Sequence, residues 1–284
     1  MFGPLFALLA STFMVSKDLA SKKLSTSLTG LASGLGSFSF ALPWYLVLLT
    51  GIYIANIPGQ FEIGQGFFVY VLLRAISDSI AETCKMSAMR HGDLSIVTTL
   101  ISSHPIILLL LSPIITGDKL SVSIIGGVIL CVIGNLIMLK DWRKSISVKG
   151  IGYALMSAVA FAFNSCFDRL SVQSGPPVLS GFLMTLASAL ILLPIGLMTK
   201  GTIKSLGSDY KVSLARGFFE CAFMAAKLSA LVYMSAPELT SYLRCSLVIT
   251  VLLGAFVFKE TSTSRKLLGA AVSSAGLIWV ILSK

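Results

Sequence analysis

Apolar positions run along this chain in long, nearly unbroken stretches, without the alternation of a strand or the narrow stripe of a soluble helix. Ten stretches are legible, near residues 3–21, 29–53, 66–89, 94–116, 121–140, 149–170, 178–199, 212–234, 238–258 and 266–283. A hydrocarbon core about 30 Å thick needs about 20 helical residues to cross it. Strands fit poorly, because a membrane barrel alternates lipid-facing and lumen-facing residues. The pattern therefore predicts an all-α integral membrane protein of ten transmembrane helices. The gaps are short and leave no segment for a soluble catalytic domain.

The stretches repeat. A shift of 142 residues brings Leu72, Arg74, Lys85, Ser87, Thr98, Gly127 and Gly134 onto Leu214, Arg216, Lys227, Ser229, Thr240, Gly269 and Gly276. Asp78 meets Glu220, and Asp118 meets Glu260. Apolar identities mean little in such a chain, but charges inside a span are costly and their coincidence is informative. The second and seventh spans align at a shift of 151, Gly30, Leu35, Ser37 and Pro43 meeting Gly181, Leu186, Ser188 and Pro194. Two five-helix units follow, residues 1–144 and 145–284. An odd number of spans per unit predicts that the second inserts upside down relative to the first.

Composition and charge sharpen this. Hydrophobic residues make up 55% and charged residues 12% of the chain, whereas a soluble domain carries about 25% charged. The net charge of +10 comes largely from helix ends, so it points to orientation in a bilayer and not to nucleic acid. Lys22, Lys23, Arg90, Lys140, Arg143 and Lys144 follow spans one, three and five; Lys200, Lys204, Lys211, Lys259, Arg265 and Lys266 follow spans seven and nine. By the positive-inside rule these loops are cytoplasmic and both termini lie outside. The segment after span two has no Lys or Arg, while its counterpart after span seven has three, as inversion requires. The apolar start lacks a basic n-region and a cleavage pattern, so no signal peptide is expected. Cys84, Cys131, Cys166, Cys221 and Cys245 fall inside spans as small packing residues. Short loops and the lack of a targeting segment point to a bacterial inner membrane.

The candidate chemistry lies within spans. Arg74, Asp78, Glu82 and Lys85 share one face of the third span, and Arg216, Glu220 and Lys227 repeat the set in the eighth. With the span starting near Gln65, Asp78 lies roughly 20 Å deep. Arg74–Asp78 and Arg216–Glu220 have the four-residue spacing of a helix ion pair. The same groups suit a wet cavity lined by acids and anion-binding bases. Lys85 stands near enough to its helix end for snorkelling as an alternative. Arg244, with a planar fork suited to carboxylate or phosphate, and Tyr242 lie in span nine; His104, able to titrate near neutral pH, precedes Pro105. These nine residues (Arg74, Asp78, Lys85, His104, Arg216, Glu220, Lys227, Tyr242 and Arg244) form the candidate substrate site. Asn164, Asp168, Lys17 and Asp18 either complete it or sit at the interface. Gly30 and Gly34, with Gly127 and Gly134, read as close-packing positions.

The run Ala88-Met-Arg-His-Gly-Asp-Leu-Ser-Ile-Val-Thr-Thr-Leu-Ile-Ser-Ser-His-Pro105, then Gly117-Asp118-Lys119-Leu120 and a glycine-bearing span to Leu139, resembles the EamA domain of the drug/metabolite transporter superfamily. The part from Ala230 through Lys259-Glu260 to the last span repeats that plan. The resemblance covers essentially the whole chain as two EamA-like units. It implies a carrier of amino acids, drugs, metabolites, sugar phosphates or nucleotide sugars. The aromatic-Gly pair frequent in the family's first helix is Phe13-Met14 in one unit and Ala160-Phe161 in the other.

Inverted repeats suit alternating access, with substrate held near the midplane. The expected activity is secondary transport, in the export direction, of a small zwitterionic or anionic metabolite such as an amino acid. The expected partners are that substrate, the lipid bilayer and protons as candidate coupling ion, with no nucleic acid, in a monomer or homodimer. An exchanger of phosphorylated compounds is the alternative, given Lys17, Arg74, Lys85, Arg216, Lys227 and Arg244. A membrane enzyme or assembly factor is more remote: two histidines and no HExxH or GxSxG pattern offer no metal or nucleophile constellation, and nothing calls for a cofactor.

Overall fold

The computed structural model describes residues 2–138, 146–206, 209–243 and 263–282, and among these it contains thirteen helices. The first unit holds α1 (Phe2–Ser27), α2 (Gly30–Ser39), α3 (Leu42–Ile54), α4 (Phe67–Arg90), α5 (Leu94–Ile101), α6 (His104–Ile115) and α7 (Val122–Met138). The second holds α8 (Val148–Ser174), α9 (Pro177–Met198), the short α10 (Thr202–Leu206), α11 (Tyr210–Leu231), α12 (Ala236–Leu243) and α13 (Thr263–Leu282).

Local chemistry sets several boundaries. Thr29 starts α2, its hydroxyl accepting from Ala32 N at 3.2 Å, and Ser147 does the same for α8 from Gly150 N at 3.2 Å, a typical N-cap. Two stretches expected as continuous spans are broken instead. Residues 29–53 divide at Phe40 and Ala41, and residues 94–116 divide at Ser102 and Ser103. Each break is followed by a proline, Pro43 or Pro105, in the first turn of the new helix. Proline has no N–H to give the preceding turn, but fits a helix start.

Among the described residues, five helical stretches are long and apolar enough to cross a membrane: Phe2–Leu24, Gly30–Ile54, Ile96–Ile115, Val148–Ser174 and Pro177–Met198. α4 and α11 have 24 and 22 residues, enough length at about 1.5 Å per residue. Their charged stripes lower their apolarity.

Burial is reversed relative to a water-soluble protein. Val47, Ile54, Val69, Leu72, Leu110, Ile114 and Met198 point outward, while Arg74, Glu82, Asp168 and Arg216 are buried. Lipid makes that economical: apolar side chains need no burial in it, and ionised ones must find partners inside.

Three helix pairs dominate the packing: α1 with α11, α8 with α4, and α7 with α13. The first helix of each unit thus lies along the charged helix of the other. Between α7 and α13, Cys131 Sγ donates to the Ser273 carbonyl at 3.2 Å and Ser273 Oγ donates to the Cys131 carbonyl at 3.0 Å. These residues are 142 apart, the repeat shift itself, and such reciprocal contacts mark a two-fold relation between the units.

Candidate functional site

The charged faces of α4 and α11 turn inward and meet the first helix of the opposite unit. Arg74 on α4 bonds Asp78 one turn on, at 2.6 Å, and Asp168 on α8 through Nε at 2.7 Å. Lys227 on α11 reaches the other Asp168 oxygen at 2.5 Å. Asn164, one turn from Asp168, donates to Asp78 at 2.9 Å and accepts from Ser77. One buried carboxylate therefore joins three helices.

A second cluster surrounds Glu82. Arg216 Nη2 contacts Glu82 at 3.1 Å, Nη1 stands 3.5 Å from Glu220, and Nε donates to Ser21 at 2.7 Å. Lys17 lies 3.2 Å from Glu220 and 3.7 Å from Glu82, with its ammonium 4.3 Å from the centroid of the Phe223 ring. Lys85 bonds Asp18 at 2.6 Å and stands 3.7 Å from Glu82. Together the two clusters hold Lys17, Arg74, Lys85, Arg216 and Lys227 against Asp18, Asp78, Glu82, Asp168 and Glu220. Five positive and five negative groups cancel. An isolated charge at these depths would be prohibitive.

Between the clusters lies a cavity of about 70 Å³ in this conformation. Its wall includes Lys17, Asp18, Arg74, Asp78, Glu82, Lys85, Glu220 and Lys227, with Thr98, Ser102 and Thr240 as hydroxyls and Met14, Phe161, Phe223 and Met224 as apolar surface. A small molecule with charged ends and a modest side chain would find partners for both.

Of the residues singled out from sequence, Arg74, Asp78, Lys85, His104, Glu220 and Lys227 line this cavity. Arg216, wholly buried, stands behind the wall and holds Glu82 in place. Tyr242 packs in the apolar core. His104 Nδ1 lies 3.1 Å from the Ile101 carbonyl. Arg244 lies outside the described residues. Both ion pairs expected from four-residue spacing form, and they also flank the cavity, so the structural and lining readings coincide. Lys85 does not snorkel; it is 4% exposed and bound to Asp18. Lys17, Asp18, Asn164 and Asp168 are buried in the clusters. Glu82 was legible only as part of the α4 stripe, and its central position was not. The pairing roles of Asp18 and Asp168 were also missed, although a third register, a shift of 150, carries Asp18 onto Asp168 and Ser21 onto Ser171.

The charged helices are also fastened at their ends. Lys22 on α1 donates to the carbonyls of Met89 and Gly92, at 2.9 and 2.7 Å, where α4 ends. Arg169 on α8 donates to the Leu231 carbonyl, where α11 ends. Met89 and Leu231 are again 142 residues apart. Asp118, from the loop after α6, stands 3.7 Å from Arg169 and accepts from Ser112 at 2.8 Å and from Ala236 N at 3.4 Å.

The two-unit plan agrees with comparison to known proteins. The EamA-like transporter family matches the chain twice, over residues 1–140 and 148–282. The chain belongs to that family. The EamA-like transporter is accordingly a membrane transporter of the drug/metabolite transporter superfamily. A solved crystal structure of a protein superposes on it with a TM-score of 0.69 at 16% identity, over 99% of this chain and 96% of the other. At that identity the likeness shows a shared fold alone. No curated protein matches this transporter.

Proposed function

We propose that this EamA-like transporter is a secondary carrier, working as an exporter, of a small zwitterionic metabolite such as an amino acid. The observation that carries the reading is the charge balance of the cavity. Five cationic and five anionic side chains among the described residues already neutralise one another. A phosphorylated substrate would bring uncompensated negative charge into a low-dielectric site, and there each unpaired charge is costly. A zwitterion brings one charge of each sign and leaves the sum unchanged.

The architecture proposed around that site is ten spans in two inverted five-helix units, residues 1–144 and 145–284, with both termini extracytoplasmic in a bacterial inner membrane. Inversion supplies alternating access, since each unit can adopt the conformation of the other. The cavity residues of the candidate site, Arg74, Asp78, Lys85, His104, Glu220 and Lys227, are proposed as its substrate-facing groups, with Arg216 supporting them. Protons are the proposed coupling ion.

The test is uptake of a radiolabelled amino-acid mixture into proteoliposomes, in competition with sugar phosphates, with and without a pH gradient. Saturable amino-acid flux that sugar phosphates do not inhibit is the expected result, and stimulation by the gradient would support proton coupling. Inhibition by phosphorylated compounds alone would replace the zwitterion with the exchanger alternative.

A further inference from the structure

The repeat can be read inside the charge clusters. The register of 142 for α4 and α11, with 150 for α1 and α8, turns one cluster into the other. Arg74–Asp78 becomes Arg216–Glu220, and Lys227–Asp168 becomes Lys85–Asp18. Even the weak contact of Arg74 Nη2 with Met224 Sδ, at 3.8 Å, has its image in Arg216 Nη2 on Glu82, at 3.1 Å. That last correspondence exposes a difference. Glu82 stands where the second unit has Met224, and Lys17 stands where it has Phe167. One acid and one base are therefore unique to one side of the two-fold. They face each other across 3.7 Å on the cavity wall.

We infer that Lys17 and Glu82 read the two ends of the substrate, Lys17 receiving its carboxylate and Glu82 its ammonium group. The inference rests on the proposed transport of a zwitterion. Two identical half-sites related by a two-fold present the same face twice, whereas a zwitterion has two different ends. Distinguishing them requires groups that the symmetry does not repeat, and Lys17 and Glu82 are opposite in charge and lie together. The distances divide the labour in the same way. The repeated Lys–Asp pairs, Lys227–Asp168 and Lys85–Asp18, are closed and in direct charge-assisted contact. Lys17–Glu82 and Lys85–Glu82 are both 3.7 Å, too long for a hydrogen bond. The repeated pairs form the frame; Lys17 and Glu82, held by Glu220 at 3.2 Å and by Arg216 at 3.1 Å and not by each other, keep their facing sides for the substrate. Phe223, whose ring lies under the Lys17 ammonium, holds that ammonium in place by cation–π attraction.

The experiment compares wild type with Lys17→Gln, Glu82→Gln and the double variant, each first shown to be folded by size exclusion and thermal unfolding. In proteoliposomes, flux of one radiolabelled amino acid is inhibited by three compounds sharing a side chain: the amino acid, the amine lacking its carboxylate, and the hydroxy acid lacking its ammonium group. Wild type should prefer the amino acid over both. Lys17→Gln should lose preference over the amine by about tenfold or more, and Glu82→Gln should lose preference over the hydroxy acid by a similar factor, as for a lost charge-assisted hydrogen bond. The double variant removes opposite charges together, so it should fold where a single variant fails, and it should lose both preferences. Folded variants that keep the wild-type ranking would overturn the assignment and leave the transport reading standing. Wild type that moves and recognises none of the three would overturn the transport reading, and the assignment with it.

Discussion

Asp168 is wholly buried and holds both Arg74 and Lys227. Its image Asp18 holds Lys85 alone, and Lys85 keeps a second acid, Glu82, at 3.7 Å. The two aspartates therefore differ in what their loss leaves behind. Asp168→Asn strands Lys227 and leaves Arg74 only Asp78, so it should destabilise by about 3–5 kcal/mol, the usual cost of breaking a buried pair. Asp18→Asn should cost visibly less. Thermal unfolding in detergent, calibrated against wild type, checks both; a smaller effect for Asp168→Asn than for Asp18→Asn would overturn this ranking. The α4 stripe of Arg74, Asp78, Glu82 and Lys85 was legible because a helix places residues four apart on one face. Its partners were not. Asp18 and Asp168 lie on other helices, in a register eight residues away from that of the charged helices, and periodicity within a helix carries no information about which neighbour it meets.

Helix-to-helix contact explains the glycines. A Cβ on Gly134 would stand 2.5 Å from the Gly269 carbonyl oxygen and 2.6 Å from Ser273 N, and one on Gly276 would stand 2.6 Å from the Gly127 oxygen. Backbone meets backbone there, the contact that small residues permit within a membrane. Gly134→Val should therefore force α7 and α13 apart and sharply lower the yield of folded protein. Cys131→Ala, which removes one member of the reciprocal hydrogen-bond pair, should cost only about 0.5–1.5 kcal/mol. Fluorescence-detected size exclusion of tagged variants separates the two, and a normal profile for Gly134→Val would contradict the packing. Close packing at Gly30, Gly34, Gly127 and Gly134 was readable in the sequence. The helix breaks before Pro43 and Pro105 were not, because hydropathy runs on undisturbed across them and Pro113 and Pro194 sit inside unbroken helices. Hydropathy records the solvent around a helix and says nothing of backbone continuity.

At the scale of the molecule, the two fastenings stand at the carbonyl ends of the two charged helices, which inversion would place on opposite sides of the membrane. Lys22 holds the end of α4 and Arg169 the end of α11. In each case a cation meets the carbonyl end of a helix, where the aligned peptide dipoles make that contact favourable. In the proposed topology the Lys22 end is cytoplasmic and the Arg169 end is outside. Each fastening then stabilises closure of one side, and removing one should shift the resting population towards opening there. A bond from a charged donor is worth about 1.5–3 kcal/mol, so the shift should be about tenfold or more. Ser102 lines the cavity, and a single cysteine at that position, in a background without the five native ones, reports which side is open. A membrane-impermeant maleimide added outside should label it faster in Arg169→Ala and more slowly in Lys22→Ala than in the parent. Reversed signs would place the termini in the cytoplasm while leaving the two latches intact. Equal changes in both variants would mean that the fastenings brace helices without gating. Only opposite changes from fastenings on the matched helix ends, at Met89 and Leu231, require a carrier whose halves exchange roles.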